Sequence, residues 1–183
     1  WLKNKLRHKM QKELAEDDIR NALIVQDCIK LHKAGYKFMI LTQRVFHAKI
    51  LSEMLLHNNI NIAFPYKTSK KGVFEEETYE VDHKQLDEDI QLIQEGLVDG
   101  LVGTEKLFQK GFDCVPLSFL IYAAPFGGNT TFLIQTVGRV QRRTFNNTKC
   151  AVIDYQDSSS FTDILGNWSK QREQLLLELF PQN

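Results

Sequence analysis

The residues best suited to chemistry lie in the segment Gln135-Thr136-Val137-Gly138-Arg139-Val140-Gln141-Arg142. On a helix, positions three, four and seven apart share a face, so Gln135, Arg139 and Arg142 project together. Between Gln135 and Lys149 there are four basic residues and no acidic one. Two guanidiniums side by side without a local carboxylate suit an external anion, and arginine's planar fork matches phosphate. The alternative is internal pairing with the stretch Glu75 to Asp89, which carries eight carboxylates against the single lysine Lys84. That stretch otherwise reads as a solvated helix face. Gly138 sits mid-helix at a cost of about 1 kcal/mol relative to alanine. A glycine kept there predicts something packed close to the backbone.

The pattern along the chain predicts the scaffold that must hold these groups. Lys3 to Asp18 is rich in helix formers, with Leu2, Leu6, Met10 and Leu14 as an apolar stripe. A second helix is expected from about Asp17 to Lys33, stopped at Gly35. Phe38 to Thr42 reads as an apolar strand, followed by a helix carrying Val45, Ala48, Leu51 and Leu55. Ile60 to Tyr66 reads as a strand ending at Pro65, and Lys67 to Gly72 as a basic, polar loop. Leu86, Ile90, Ile93 and Leu97 form a helical stripe beneath the acidic run. Strands at Gly100–Gly103, Leu117–Ala123 and Cys150–Tyr155 then alternate with helices at Thr130–Arg142 and about Phe161–Phe180. Apolar strands alternating with helices indicate a parallel sheet covered on both faces. Ligands of such sheets bind beyond the carboxyl ends of the strands. Those ends are Thr42-Gln43-Arg44, Thr104-Glu105, Ala124 to Asn129 and Asp154 to Asp157.

The bulk properties set limits. With 183 residues the chain fits one domain, and 43% hydrophobic against 25% charged residues is ordinary for a globular protein. Disordered, collagenous and coiled-coil classes are excluded. Twenty-three basic residues balance 23 acidic ones, which argues against a protein that holds nucleic acid by bulk charge. The longest apolar stretch, Leu117 to Phe126, contains Ser118 and Pro125 and is too short to span a bilayer, so no membrane partner is expected. Cys28, Cys114 and Cys150 match no zinc or redox spacing and are expected as buried, reduced thiols in an intracellular, reducing compartment. His8, His32, His47, His57 and His83 form no metal spacing, and only His47 stands near a strand end of interest. The first residue is Trp1, which suggests a piece of a longer protein.

In this setting Gln135-x-x-Gly138-Arg139-x-x-Arg142 resembles motif VI of the superfamily 2 helicases. Upstream, Val102-Gly103-Thr104-Glu105 followed by Lys110-Gly111-Phe112-Asp113 is similar to motif V. The strand Phe38 to Leu41 with Thr42, Gln43 and Arg44 stands where motif IV belongs. Val152-Ile153-Asp154-Tyr155-Gln156-Asp157 resembles the strand after motif VI in the XPB-like and phage recombination-helicase branches. The resemblance implies an α/β, RecA-like three-layer sandwich, with a mostly parallel central sheet and helices on both faces. It implies the second of two RecA-like motor domains, residues 21–183 behind a helical lead-in of residues 1–20. ATP would lie in the cleft between the domains, the first supplying the phosphate loop and the Mg²⁺ carboxylate. Arg139 and Arg142 would face the γ-phosphate, with Arg142 as the arginine finger, a role worth on the order of 10³–10⁵ in rate. Gln135 would hydrogen-bond near the γ-phosphate or the attacking water. Gly111, Asp113 and Gly138 would lie by the nucleotide, Asp113 toward the ribose. Thr104 would contact a nucleic-acid phosphate, and Gln43, Arg44, Lys67, Lys70 and Lys71 are further candidates for backbone contacts. The implied partners are the first RecA-like domain and nucleic acid, with DNA favoured over RNA.

The chain departs from the family pattern at several points. Motif VI opens with Gln135 where DEAD-box proteins have histidine. Lys110 replaces the common arginine before Gly111, and Gly103-Thr104-Glu105 replaces the usual Ala-Thr-Asp. A phosphate loop needs Gly-x-x-x-x-Gly-Lys-Ser/Thr; Thr68-Ser69-Lys70-Lys71-Gly72 has that composition in the wrong order, and no Asp-Glu box is present. The chain alone is therefore expected to lack ATPase activity. The competing reading is a non-catalytic RecA-like interaction module using the acidic run. A third, an unrelated doubly wound nucleotide-binding enzyme, would need a glycine-rich turn after the first strand, and Thr42-Gln43-Arg44 has none.

Overall fold

The computed structural model describes residues 2–69, 78–109, 117–126, 130–140, 150–157 and 163–179. Helix α1 spans Leu2–Ala15 and α2 spans Asp18–Lys33. The Asp17 carboxylate caps α2 by accepting the Arg20 backbone N–H at 3.0 Å. At its other end the chain closes with Gly35 N–H on His32 O at 2.9 Å and Tyr36 N–H on Leu31 O at 3.0 Å. Gly35 takes φ +76°, which this double closure needs and which glycine adopts at no steric cost. The next helices end the same way, with Asn59 and Gly96 in the left-handed position.

Strand β1, Lys37–Thr42, leads to α3, Val45–His57. After the two-residue β2, Ile62–Ala63, the chain forms an antiparallel hairpin of β3, Tyr66–Ser69, and β4, Thr78–Val81. Helix α4, His83–Gln94, follows, capped by Asp82. Then come β5 (Gly100–Thr104), α5 (Glu105–Gln109), β6 (Leu117–Tyr122), α6 (Thr130–Val140), β7 (Ala151–Asp154) and α7 (Asp163–Leu179).

The five-stranded sheet has the order β2-β5-β1-β6-β7, and every pairing in it is parallel. Alternate residues of the strands feed two separate cores. Met39, Leu41, Leu101, Leu120 and Tyr122 point to one face, where Leu86 and Ile93 of α4, Leu107 of α5 and Phe132 of α6 cover them. Phe38, Ile40, Val102 and Ile121 point to the other, beneath Ile24 and Cys28 of α2 and Leu51 and Leu55 of α3. Burial on both faces is why these strands carry unbroken apolar runs. Each fully buried Leu, Ile or Phe contributes roughly 1.5–3 kcal/mol relative to exposure. The result is the expected α/β three-layer sandwich.

Four expectations are corrected. The strand expected over Ile60 to Tyr66 shrinks to Ile62–Ala63, because Pro65 lacks the N–H a ladder requires. The segment read as a loop from Lys67 is β-structure as far as Ser69, with Lys67 opposite Glu80 and Thr68 opposite Tyr79. The acidic run is accordingly not one helix face: its described part is β4, the cap Asp82 and the start of α4. Leu97 lies beyond α4 and is exposed, since Gly96 has already ended the helix. Among the described residues no helix is long and apolar enough to cross a membrane.

Candidate nucleotide and nucleic-acid site

The carboxyl ends of β1 and β5 lie side by side, with Thr42 and Thr104 in register. Thr42 Oγ1 is 3.0 Å from Arg44 O and 3.3 Å from Gly103 O, tying the two strand ends together. Gln43 Nε2 donates to Pro125 O beyond β6 at 2.9 Å, while its Oε1 is buried without a partner. The Arg44 guanidinium turns to α1: Nη2 lies 2.7 Å from His8 Nδ1 and 3.0 Å from Gln11 Oε1. Both residues expected to meet nucleic acid after β1 are thus engaged inside the chain. Thr104 is buried, and its backbone N–H donates to Tyr66 Oη at 2.8 Å, with Thr104 Oγ1 3.2 Å from the same oxygen. Lys67 is exposed on β3.

Helix α6 is pinned to the sheet on one face only. Phe132, Leu133, Thr136 and Val137 are buried, and Tyr122 Oη of β6 lies 2.8 Å from Thr136 Oγ1. Gln135 and Gly138 are exposed and Arg139 is half-buried. Of the three residues expected to share a face, Gln135 and Arg139 both lie off the buried face of α6. The close neighbour expected at Gly138 is not found among the described residues: a Cβ there would meet nothing within 4 Å. Arg142, Gly111, Asp113, Lys70 and Lys71 lie outside the described residues. So does Cys114.

Three buried polar groups were not foreseen. Arg20 of α2 makes a forked pair with Asp157, Nε to Oδ1 at 2.7 Å and Nη2 to Oδ2 at 3.0 Å, and its Nη1 donates to Ala123 O. Arg172 of α7, 1% exposed, places Nε 3.0 Å from both oxygens of Asp154 and Nη1 2.9 Å from Phe126 O. Asp154 and Asp157, at the carboxyl end of β7, therefore each hold an arginine of this chain. A signal was present: Arg20 shares a stripe with Ile24, Cys28 and Leu31, and Arg172 with Trp168, Leu175 and Leu179. An arginine on an apolar stripe is a buried one with a waiting carboxylate. The third group is His47, whose Nε2 lies 2.9 Å from Asn21 Oδ1, while Asn21 Nδ2 donates to Ala15 O at 2.9 Å. Burial, aided by the Arg20 charge, pushes the imidazole down to about 3. His47 is a neutral core donor, not a ligand contact.

Cys28 is buried, and burial raises its thiol far above the usual range. Cys150 is exposed, against expectation, because it precedes the edge strand β7. Among the described residues no group of three or more His, Cys, Asp or Glu is gathered to hold a metal.

A parallel sheet of this order, with Thr42 and Thr104 at adjoining strand ends and an arginine-bearing helix after β6, has the fold of a helicase C-terminal RecA-like domain. No protein-family model and no curated protein sequence matches the chain. Solved structures do. UvsW of T4 superposes with a TM-score of 0.63 at 17% identity over 93% of this chain, which spans 35% of the UvsW chain. The C-terminal domain of the DEAD-box protein Dbp5 gives 0.54 at 17% identity, covering 85% of this chain and 79% of that one. The C-terminal part of the Fun30 ATPase domain gives 0.50 at 13% identity, covering 83% and 45%. The fold is shared with a DEAD-box domain, so Gln135 in place of histidine is a distinction of sequence, not of architecture.

Proposed function

We propose that residues 21–183 are the second motor domain of an ATP-dependent nucleic-acid helicase or translocase, with residues 1–20 as a helical lead-in. The observation that carries this reading is that β5, β1 and β6 are adjacent parallel strands in the middle of the sheet, so that the segments resembling motifs V, IV and VI all follow carboxyl ends at one end of it. ATP and Mg²⁺ would be shared with a first RecA-like domain that brings the phosphate loop and the metal's carboxylate. The described residues fit a polyphosphate: Gln135 and Gly138 are open to solvent, and Arg139 flanks them. When bound, the nucleotide supplies the phosphoryl group to be hydrolysed. Arg139 and Arg142 hold its negative charge, Gln135 orients oxygen atoms near the γ-phosphate, and Gly111 and Asp113 line the nucleotide. Thr104 is the contact to a nucleic-acid phosphate, and Lys67, Lys70 and Lys71 are further candidates for backbone contacts. DNA is the proposed track, on the strength of Gln135 and the sequence of β7.

The test is Arg142→Ala in the full-length protein, read as nucleic-acid-stimulated ATP hydrolysis. Loss of an arginine finger lowers turnover by on the order of 10³ or more; turnover near wild type removes Arg142 from that role. A second reading, a non-catalytic docking module, is favoured by the exposed carboxylates Asp87, Glu88 and Glu95 on and beside α4. It predicts no phosphate-loop domain elsewhere in the full-length protein, and finding one rejects it.

A further inference from the structure

Tyr66 belongs to none of the helicase-like motifs, yet it touches the centre of one. It opens β3, and its side chain leaves the hairpin to reach the end of β5. Phe64 braces the ring, with centroids 5.0 Å apart. The phenol oxygen accepts the Thr104 N–H at 2.8 Å, a donor at the last position of β5, and stands 3.2 Å from Thr104 Oγ1. A tyrosine hydroxyl has one proton. Having accepted from the N–H, it is free to donate that proton to Thr104 Oγ1. The threonine's own proton is then left for an outside acceptor.

Gly103 supports the same arrangement. A Cβ at this position would lie 2.4 Å from Leu107 Cδ2 and 3.1 Å from Tyr66 Oη. Alanine, the usual residue of motif V here, would press on the phenol and on a leucine buried in the core. Glycine at 103 and tyrosine at 66 thus form a matched pair, which accounts for one departure of the sequence from the family pattern.

We infer that Tyr66 is a positioning residue for Thr104: its hydroxyl fixes the threonine's backbone N–H and side-chain hydroxyl so that the latter donates to a nucleic-acid phosphate, and it ties the β3–β4 hairpin to that contact. The inference rests on the reading of Thr104 given above. Removing the hydroxyl while keeping the ring leaves the ATP cleft untouched and loosens only the grip on the track.

The experiment measures ATP hydrolysis by the full-length protein against the concentration of a single-stranded oligonucleotide, DNA and RNA in parallel. The variants are Tyr66→Phe, Thr104→Val, the double variant and Gly103→Ala. Tyr66→Phe is expected to raise the half-saturating oligonucleotide concentration about fivefold, the size of one hydrogen bond, with ATP KM unchanged. Thr104→Val raises it at least as much, and the double variant is no worse than Thr104→Val alone, since the two residues act on one contact. Gly103→Ala raises it as well, by crowding the phenol. If Thr104→Val impairs the response while Tyr66→Phe does not, or if the two effects add, the positioning role is overturned. If Thr104→Val changes nothing, the assignment of Thr104 to nucleic acid falls first, and the role of Tyr66 with it.

Discussion

Replacing Arg172 by methionine tests whether the buried pair at the end of β7 holds the α7 layer. The Arg172 side chain is 1% exposed and that of Asp154 11%, so neither charge has water to return to. Burial pushes the Asp154 carboxyl up, and the guanidinium opposes this. Arg172→Met keeps the volume and removes the charge, stranding the carboxylate together with the Phe126 carbonyl. Breaking a buried pair from one side costs about 3–5 kcal/mol. For a chain of this size that lowers Tm by about 6–20 °C. Asp154→Asn in the Arg172→Met background removes the stranded charge and recovers most of the loss.

The pH dependence has a fixed sign. Without Arg172, the folded-state pKa of Asp154 stands further above its unfolded value near 3.9. The folded variant then binds a proton that the unfolded chain releases, so its stability falls as pH rises through that window. The gap between variant and wild type is therefore widest near neutral pH and narrows toward pH 4. Urea unfolding at pH 4 and pH 7, for wild type and both variants, measures it. A loss under about 1 kcal/mol at pH 7, the range of an exposed pair, would refute the reasoning. So would a gap that does not narrow on acidification.

Two further predictions follow from single buried groups. His47 titrates at about 3 when folded and near 6.5 when unfolded, so the unfolded chain binds the extra proton and stability falls as pH drops through that window. The share due to His47 between pH 7 and pH 5 is about 2 kcal/mol; denaturant titrations should show His47→Gln losing that much less, and an equal loss in both proteins would contradict it. Asp89 holds one oxygen on Gln85 Nε2 at 2.9 Å and leaves Oδ2 buried and unpartnered, and burial raises its carboxyl. Asp89→Asn should gain about 1 kcal/mol at pH 7, and the gain should vanish below pH 4, where both side chains are neutral; a destabilised variant at pH 7 rules this out.

Much of the scaffold was readable because local pattern and burial coincide. Phe38 to Leu41 is apolar on both faces because both faces are covered, and Val45, Ala48, Leu51 and Leu55 repeat as a helix laid on a sheet must. The hairpin was not readable. Its strands are four residues each, Pro65 precedes them, and only Tyr66 and Val81 of their described residues pack against the core cluster, too few to show an alternation. The strand-end threonines and the face of α6 followed from spacing alone. Tyr66, Arg20 and Arg172 did not, since their partners lie 38, 137 and 18 residues away and no local spacing encodes such pairs. What the sequence does contain is the anomaly, a charge on an apolar stripe or a glycine where alanine is usual. Arg20, Arg172 and Gly103 each marked a real contact, whereas Gly138 did not among the described residues.

The division of the core by the sheet has a mechanical consequence. Helix α6 shares its cluster with α4, α5 and α7, whereas α2 and α3 pack with one another on the opposite side. Close-packed interiors transmit displacement through touching atoms. Any shift of α6 would therefore disturb contacts in one cluster and leave the other intact. The layer of α2 and α3 is thus a plate packed on its own, and a substitution in its interior would leave the setting of α6 against β6 unchanged.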